Sequence, residues 1–300
     1  MRTGSAHSDG TFTVDVEDYF QVSAFASRIR PEDWDHYECR VVANTRTVLE
    51  LAAESGTCGT FFILGWVAER FPELVTEIRT AGHEIGCHSY GHQLVYELGP
   101  ERFRQDLIRA RNVLQDITGE PVTLYRAPSF SVTRRSLWAL EILAAEGFDT
   151  DASIYPVHHD RYGIPDAPRV PHLIRTPAGP IREFPGMVCR FGRTNIPFGG
   201  GGYLRLLPWM ITERLLHRVR RQQRPLNVYI HPWEFDPGQP RIAASLKSRF
   251  RHYQNLSTTS RKIGRLLNQF QLGRMSAVLD SVSLTDPERA VPENPELQAV

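Results

Sequence analysis

The histidines His88 and His92 lie four residues apart, a spacing at which two imidazoles often bind one metal ion. Two ordinary surface histidines would explain the pattern equally well. Three carboxylates, Asp15, Glu17 and Asp18, lie within four residues near the N-terminus. They repel one another unless a cation or a proton holds them together, or unless they form a solvated acidic turn. Strand alternation places Asp15 and Glu17 on one face, where both could enter the same site.

Two more candidate groups follow short apolar segments. Arg126 precedes Pro128, which stiffens the turn, and a guanidinium there could orient a carboxylate through two hydrogen bonds. His231 follows the apolar run at residues 226–230, at the strand end where parallel α/β folds place their active sites. One histidine in such a place is more often structural than catalytic. Four chemically competent groups that follow strands in order are much harder to ascribe to chance.

The elements that must position these groups alternate between strand and helix. Apolar runs predict strands at residues 11–16, 59–64, 83–87, 123–125, 149–154, 181–184 and 226–230. Helical spacing predicts helices at residues 44–54, 66–81, 100–118, 134–146, 211–221 and 243–270. Prolines predict a loop over residues 160–180. This alternation is typical of parallel βαβ units, so the sequence predicts an α/β fold, either a barrel or a doubly wound sheet.

Composition narrows the class of protein. The 300 residues are 41% hydrophobic, enough for one large domain or two modest ones. The formal net charge of +1 disfavours a nucleic-acid-binding protein. No apolar run approaches the roughly 18 to 20 residues of a membrane-spanning helix. Residues 1–10 are polar and lack a secretory signal, so we expect a cytoplasmic protein with reduced cysteines.

In their order along the chain, these motifs resemble those of the polysaccharide deacetylases of carbohydrate esterase family 4, the nodulation-factor deacetylase (NodB) homology domain. The resemblance implies a distorted (β/α) barrel as catalytic domain at residues 10–235. It also implies a helical C-terminal extension at 236–285 and a disordered tail at 286–300. The segments VDVEDYFQVSAF, FGGGGYLRLLP and YIHPWEFDP are similar to the deacetylases of exosortase-associated (PEP-CTERM) exopolysaccharide loci in bacteria.

The family resemblance implies hydrolysis of N-acetyl groups from amino sugars of a polysaccharide or its precursor. Asp15 would be the base that accepts a proton from water, Arg126 would orient it, and His231 would protonate the leaving amine. A divalent metal, zinc with cobalt or nickel as alternatives, would be held by His88, His92 and an acid. That acid is Glu17, which shares a strand face with Asp15, or Asp18 if the backbone bulges.

The substrate-binding candidates are Pro128 and Phe130 of the third family motif, Tyr203 beside a glycine run at residues 199–202, and Trp233. The rings of Phe130 and Trp233 could stack on a sugar or simply pack. We expect the glycine run to be a flexible loop on the substrate side, because the lysine of a phosphate-binding loop is missing.

Two departures from the family pattern leave questions open. The second acid of the first motif is displaced from its usual place next to Asp15. The acid that tunes His231 has no clear match, with Glu183 or Trp209 as the candidates for the fourth motif. An amidase acting on a cyclic-amide or peptide-type C–N bond, with or without a metal, and a non-catalytic carbohydrate-binding relative are the alternative functions.

Overall fold

The computed structural model describes residues 8–286, over which strands alternate with helices. The strands are β1 (Gly10–Val16), β2 (Thr60–Ile63), β3 (Glu84–Cys87), β4 (Leu124–Tyr125), β5 (Thr150–Asp151), β6 (His172–Thr176), β7 (Gly179–Glu183), β8 (Val188–Phe191), β9 (Thr194–Pro197), β10 (Leu226–Ile230) and β11 (Leu272–Gly273). The α-helices are α1 (Val41–Ser55), α2 (Gly65–Arg70), α3 (Pro72–Thr80), α4 (Val95–Thr118), α5 (Trp138–Ala145), α6 (Gly201–Leu206), α7 (Trp209–Arg221), α8 (Leu246–Tyr253), α9 (Thr259–Gln269) and α10 (Met275–Ser281).

Nine strands form one sheet, in the order β10-β1-β2-β3-β4-β5-β7-β6, with β11 also paired to β1. Neighbouring strands run parallel from β10 to β7, and only β6 pairs in the antiparallel direction. β1, β2 and β10 are buried along their whole length, which explains the largely apolar sequences of β2 and β10. Because parallel strands end at a common edge, the side chains that follow them meet there.

The two ends of this strand path approach each other. The Asn227 side chain on β10 donates hydrogen bonds to the carbonyls of Phe184 and Pro185, which follow β7, at 3.3 and 3.0 Å. These side-chain contacts connect β10 with the segment after β7, which backbone pairing between strands does not connect, as in a distorted barrel. The predicted α/β fold is confirmed.

Local signals decide several helix ends. Helix α1 ends at Gly56, whose φ of 66° lies in the left-handed region that favours glycine. Pro72 separates α2 from α3 as predicted, because proline is tolerated in the first turn of a helix and not in its interior. No helix among residues 8–286 is long and apolar enough to cross a membrane.

Three predictions about the elements were wrong. The predicted loop at 160–180 contains β6, because its prolines flank the strand without interrupting its pairing with β7. The antiparallel pair β8–β9 was not predicted. The single helix predicted at 243–270 is broken between α8 and α9, where Asn255 has a left-handed φ of 54°.

The predicted helical extension at 236–285 also contains a strand, because β11 joins the main sheet beside β1. Helix α9 of this extension packs on α1. Of the tail predicted at 286–300, residues 287–300 lie outside the described part of the chain.

Candidate active site

A pocket of about 450 Å³ opens where the carboxyl ends of β1, β3 and β10 meet. Five of the predicted catalytic and metal-binding residues line it: Asp15, Glu17, His88, His92 and His231. They reach it from segments far apart in sequence, because each follows or ends a strand of the same parallel sheet. A cavity of this size suits a small substrate or one sugar unit of a longer chain.

Glu17, His88 and His92 form a buried group that fits a divalent metal. One ligand atom from each lies within 4.8 Å of the others, and together they offer two imidazoles and a carboxylate. His92 Nε2 lies 2.5 Å from Glu17 Oε2. The same Oε2 atom is buried and has no well-oriented hydrogen-bond donor among residues 8–286. A buried oxygen without such a donor is costly, and a cation between these three groups would satisfy it.

The hydrogen bonding of His88 prepares one ring nitrogen for a metal. Its Nδ1 lies 2.7 Å from the carbonyl oxygen of Arg126, which can only accept, so Nδ1 carries the proton and Nε2 keeps its lone pair. Burial lowers the pKa of His88 to about 4, outweighing the attraction of Asp15 and Glu17 for the imidazolium. His88 is therefore neutral near pH 7, as metal binding requires.

Burial opposes ionisation of Glu17, but its electrostatic interactions with the His92 and His231 side chains outweigh it. The pKa of Glu17 therefore lies well below its ordinary value, and the group is a carboxylate. An anion between imidazoles is the charge arrangement expected around a cation site.

Asp18 performs a different task. Its Oδ2 accepts hydrogen bonds from the backbone N–H groups of Arg40 and Val41 at 2.7 and 2.9 Å, at the start of α1. Its Oδ1 accepts from the N–H of Tyr19 at 2.8 Å. These contacts satisfy helix N–H groups that would otherwise lack an acceptor. Of the two acids that the sequence left open, the structure groups Glu17 with the histidines and uses Asp18 as a helix cap.

Asp15 is held by Arg126 in a buried ion pair. Arg126 Nη1 donates to Asp15 Oδ1 at 2.7 Å and to the Thr13 hydroxyl at 2.8 Å, and its Nε donates to the carbonyl of Ala152 at 3.3 Å. The guanidinium lies over the Phe62 ring, 4.3 Å from its centroid. Arg126 is thus fixed on several sides, and it holds one Asp15 oxygen while the other faces the pocket.

His231 lies on the other side of Asp15 and Glu17. Its Nε2 is 3.9 Å from Asp15 Oδ2 and 3.8 Å from Glu17 Oε1, and its Nδ1 is 2.7 Å from Glu234 Oε1. Burial disfavours the imidazolium, but the hydrogen bond to Glu234 and the carboxylates of Glu17 and Asp15 outweigh it. They raise the pKa of His231 to about 9. His231 is therefore protonated at neutral pH, as a general acid must be.

Glu234 is the acid partner that the sequence did not identify. It lies three residues after His231 in a short 3-10 turn, so its carboxylate also accepts the backbone N–H of His231 at 3.0 Å. Its Oε2 accepts from Nε of the buried Arg205 at 2.7 Å. Burial opposes its ionisation, yet Arg205 and His231 hold the pKa of Glu234 below its ordinary value. The three-residue spacing between His231 and Glu234 in the HPWE segment was the sequence signal that could have identified this pair.

The earlier candidates for that role lie elsewhere. Glu183 Oε1 accepts from the backbone N–H of Ile154 at 3.0 Å, and burial together with the neighbouring Asp151 raises its pKa well above the ordinary value. Glu183 therefore interacts with Ile154 and Asp151 and not with His231. Trp209 begins α7, lies beneath the guanidinium of Arg265, and does not line the pocket.

The backbone beside the histidine pair is strained. Ser89 and His92 both have left-handed conformations, with φ of 65° and 50°. The turn is held by the carboxylate of Asp106, which accepts the N–H groups of Tyr90 and Gly91 at 2.7 and 3.0 Å. Strain of this kind persists only where surrounding contacts enforce it, and it often accompanies function.

The Trp233 ring is 4% exposed and stacks on two imidazoles. Its centroid is 5.1 Å from that of His231 and 4.1 Å from that of His252, with interplanar angles of 23° and 15°. Its Nε1–H donates to Glu17 Oε1 at 3.0 Å. Trp233 therefore orients Glu17 and His231 and leaves little free face for stacking on a sugar.

The remaining predicted substrate residues differ in their access to the pocket. Phe130 and Tyr203 line it, whereas Pro128 is buried behind it in a 3-10 turn. Phe130 packs edge-on against Tyr229, with ring centroids 4.9 Å apart. The Tyr203 hydroxyl lies 3.3 Å from that of Tyr162, also at the pocket.

The glycine run before Tyr203 is fixed against β10. Gly199 accepts the N–H of Tyr229 at 3.1 Å, and a Cβ on Gly200 would lie 2.1 Å from the Tyr229 carbonyl oxygen. Glycine is needed at this position because the two backbones approach each other closely. The glycine run is therefore fixed against β10 and does not form the predicted flexible loop.

Two family profiles match the chain. Residues 34–147 match the family described as Polysaccharide deacetylase, and residues 152–280 match a domain of unknown function, DUF3473. The segment that is similar to polysaccharide deacetylases includes His88, His92 and Arg126. His231, Glu234 and Arg205 come from the second segment.

Curated relatives align with a part of this chain. A peptidoglycan-N-acetylglucosamine deacetylase of Bacillus cereus is 31% identical over 98 residues, which cover 32% of this chain and 36% of the relative. A chitooligosaccharide deacetylase of Azorhizobium caulinodans is 28% identical over 100 residues, 33% of this chain and 45% of the relative. The chain thus spans less than half the length of these relatives.

Among solved structures, a protein of Mycobacterium smegmatis that is assigned as a polysaccharide deacetylase has a TM-score of 0.63 at 19% identity. The superposition covers 98% of both chains. This similarity shows a shared fold over nearly the whole length, including the part of unknown function.

Proposed function

We propose that this protein is a metal-dependent hydrolase that removes N-acetyl groups from amino sugars of a bacterial exopolysaccharide or its precursor. One observation carries the proposal: a buried carboxylate–histidine–histidine group adjoins two further ionic pairs in one pocket, Asp15 with Arg126 and His231 with Glu234. The exopolysaccharide class rests on the resemblance to exosortase-associated deacetylases. A cytoplasmic location is part of the proposal and is tested by cell fractionation.

The geometry supports separate roles for the protein side chains. Asp15, oriented by Arg126, accepts a proton from the attacking water through the oxygen that faces the pocket. His231, protonated through Glu234, donates its Nε2 proton to the departing amine, which is otherwise a poor leaving group. Glu17, His88 and His92 would hold a divalent cation, zinc by preference, which would polarise the acetyl carbonyl and acidify water.

The test is acetate release from chitotetraose by protein that has been stripped with a chelator and then reloaded with zinc or cobalt. We expect acetate from the reloaded protein and none from the stripped protein. The matched control is Asp15→Asn, reloaded in the same way, which should bind the metal without turnover. Protein that binds one metal ion but releases no acetate would point to another C–N bond, and protein that binds no metal would refute the mechanism.

A further inference from the structure

Three cationic side chains line the same pocket and have no role in the proposed reaction: Arg161, Lys247 and Arg251. All three are exposed. Among residues 8–286, none of them lies within 4.0 Å of a carboxylate oxygen. Within the described part of the chain, the Arg161 side chain makes one long hydrogen bond, to the carbonyl of Ser23 at 3.5 Å. The net charge of the whole chain is +1, so these residues are a local concentration of positive charge.

His159 lines the same pocket as the three cations. Burial is the main cause of the low pKa of His159, and the charges of Arg251, Arg161 and Lys247 lower it further. The one acid beside them, Asp160, has its Oδ1 placed 2.9 Å from His159 Nδ1.

The carboxylates of the pocket itself are also engaged. Asp15 pairs with Arg126, and Glu17 lies against His92 and Trp233. The positive charge at the rim is therefore not neutralised by the catalytic acids. Low-dielectric walls around such a rim concentrate its field on whatever enters the pocket.

The wall that carries Arg251 is anchored to the catalytic residues. The buried Arg205 donates to the carbonyls of Arg251, His252 and Gln254 at 3.0, 2.8 and 2.7 Å, and to Glu234 at 2.7 Å. One guanidinium thus ties the end of α8 to the acid partner of His231. Lys247 and Arg251 therefore belong to a helix whose C-terminal end is fixed to the acid partner of His231.

All three cations belong to the segment of unknown function at residues 152–280. We propose that the substrate carries an anionic group, a carboxylate or a phosphate, close to the N-acetylated sugar, and that Arg161, Lys247 and Arg251 bind it. The inference rests on the proposed deacetylase function and adds the charge class of its substrate. An anionic group offers these exposed cations charge-assisted hydrogen bonds that a neutral glycan cannot supply.

The experiment compares three substrates with the metal-loaded full chain. They are chitotetraose, which is neutral, a hyaluronan tetrasaccharide, which carries carboxylates, and UDP-N-acetylglucosamine, which carries phosphates. We expect kcat/KM for at least one anionic substrate to exceed that for chitotetraose by about tenfold or more at low ionic strength. The advantage should shrink at about 1 M salt, because screening shortens the range of exposed charges. A preference for the hyaluronan tetrasaccharide would identify the anionic group as a carboxylate, and a preference for UDP-N-acetylglucosamine would identify it as a phosphate.

The double variant Arg161→Gln/Arg251→Gln should raise KM for the anionic substrate and remove the advantage, while kcat and the neutral substrate's kcat/KM stay unchanged. Arg249→Gln is the matched control, since Arg249 lies on the same helix and does not line the pocket. Equal kcat/KM for neutral and anionic substrates, or equal losses for both in the double variant, would overturn the inference.

Calorimetric binding of the same three compounds keeps this test independent of turnover. We expect the anionic compound to bind more tightly than chitotetraose, and the double variant to abolish that difference. Preferential anion binding without acetate release would refute the proposed function and leave the anionic subsite standing. Equal binding of all three compounds, together with acetate release, would support the proposed function and refute the anionic subsite.

Discussion

Replacing Glu234 by glutamine tests the proton transfer assigned to His231. The Glu234 carboxylate serves two partners through separate oxygens, His231 Nδ1 and Arg205 Nε, each at 2.7 Å. An amide has one acceptor oxygen, so glutamine must present its NH₂ group to one of these two donors. If the NH₂ faces His231, the imidazole has to change its tautomer. If it faces Arg205, two donors oppose each other inside the protein.

The magnitude follows from the charge that is lost. His231 works in its protonated form, so the rate stays on its plateau below the pKa of about 9 and falls as the pH rises through that value. Removing a contacting carboxylate moves this alkaline limb down by about 1 to 3 pH units, because the imidazolium loses its nearest negative charge. With the general acid impaired, kcat near neutral pH should fall by about 10² to 10⁴.

The assay is the initial rate of acetate release by the metal-loaded protein, measured from about pH 6 to about pH 10. Glu77→Gln is the matched control, because Glu77 pairs with Arg46 on the surface and should leave the pH profile unchanged. Circular dichroism must show that the Glu234→Gln protein is folded, since breaking a buried ion pair costs about 3 to 5 kcal/mol. A folded variant whose alkaline limb coincides with that of the native protein would refute the role of Glu234.

Three further substitutions test the separate roles proposed for Asp15 as the base, His88 as a metal ligand and Asp18 as the cap of α1. Asp15→Asn should lower kcat by about 10² to 10⁴ with unchanged metal content by atomic absorption, and a native rate would remove Asp15 as the base. His88→Ala should lose both metal and activity, and full metal occupancy would contradict its assignment as a ligand. Asp18→Ala should keep the metal but lower the free energy of unfolding by about 0.5 to 2 kcal/mol in a denaturant titration, because the α1 cap is lost. Loss of metal in that variant would return Asp18 to the ligand set.

Much of the site could be predicted from local patterns. Asp15, His88, Arg126 and His231 each end or follow an apolar strand, and the strand–helix alternation implies that these strands are parallel. Residues that follow parallel strands converge at one edge of the sheet, so their proximity required no knowledge of tertiary contacts.

The choice between neighbouring acids could not be predicted in the same way. Strand alternation favoured Glu17, yet β1 ends at Val16 and the N–H of Glu17 already donates to the carbonyl of Asp15 in a tight turn. What removes Asp18 from the site is its contact with Arg40 and Val41, more than twenty residues away in the chain. Nothing within the motif itself indicates that contact.

The pattern of apolar runs and the types of the reactive residues determine the α/β fold, the histidine pair and the pairing of Asp15 with Arg126, because they depend on local periodicity and on strand ends. The partner of His231 and the charge of the rim depend on which distant segments pack together. Arg205 meets Glu234 inside the protein, and Arg161 reaches the same pocket as Lys247 and Arg251. Burial then sets their electrostatics, since a charge removed from water is stable only beside the partner that the fold supplies.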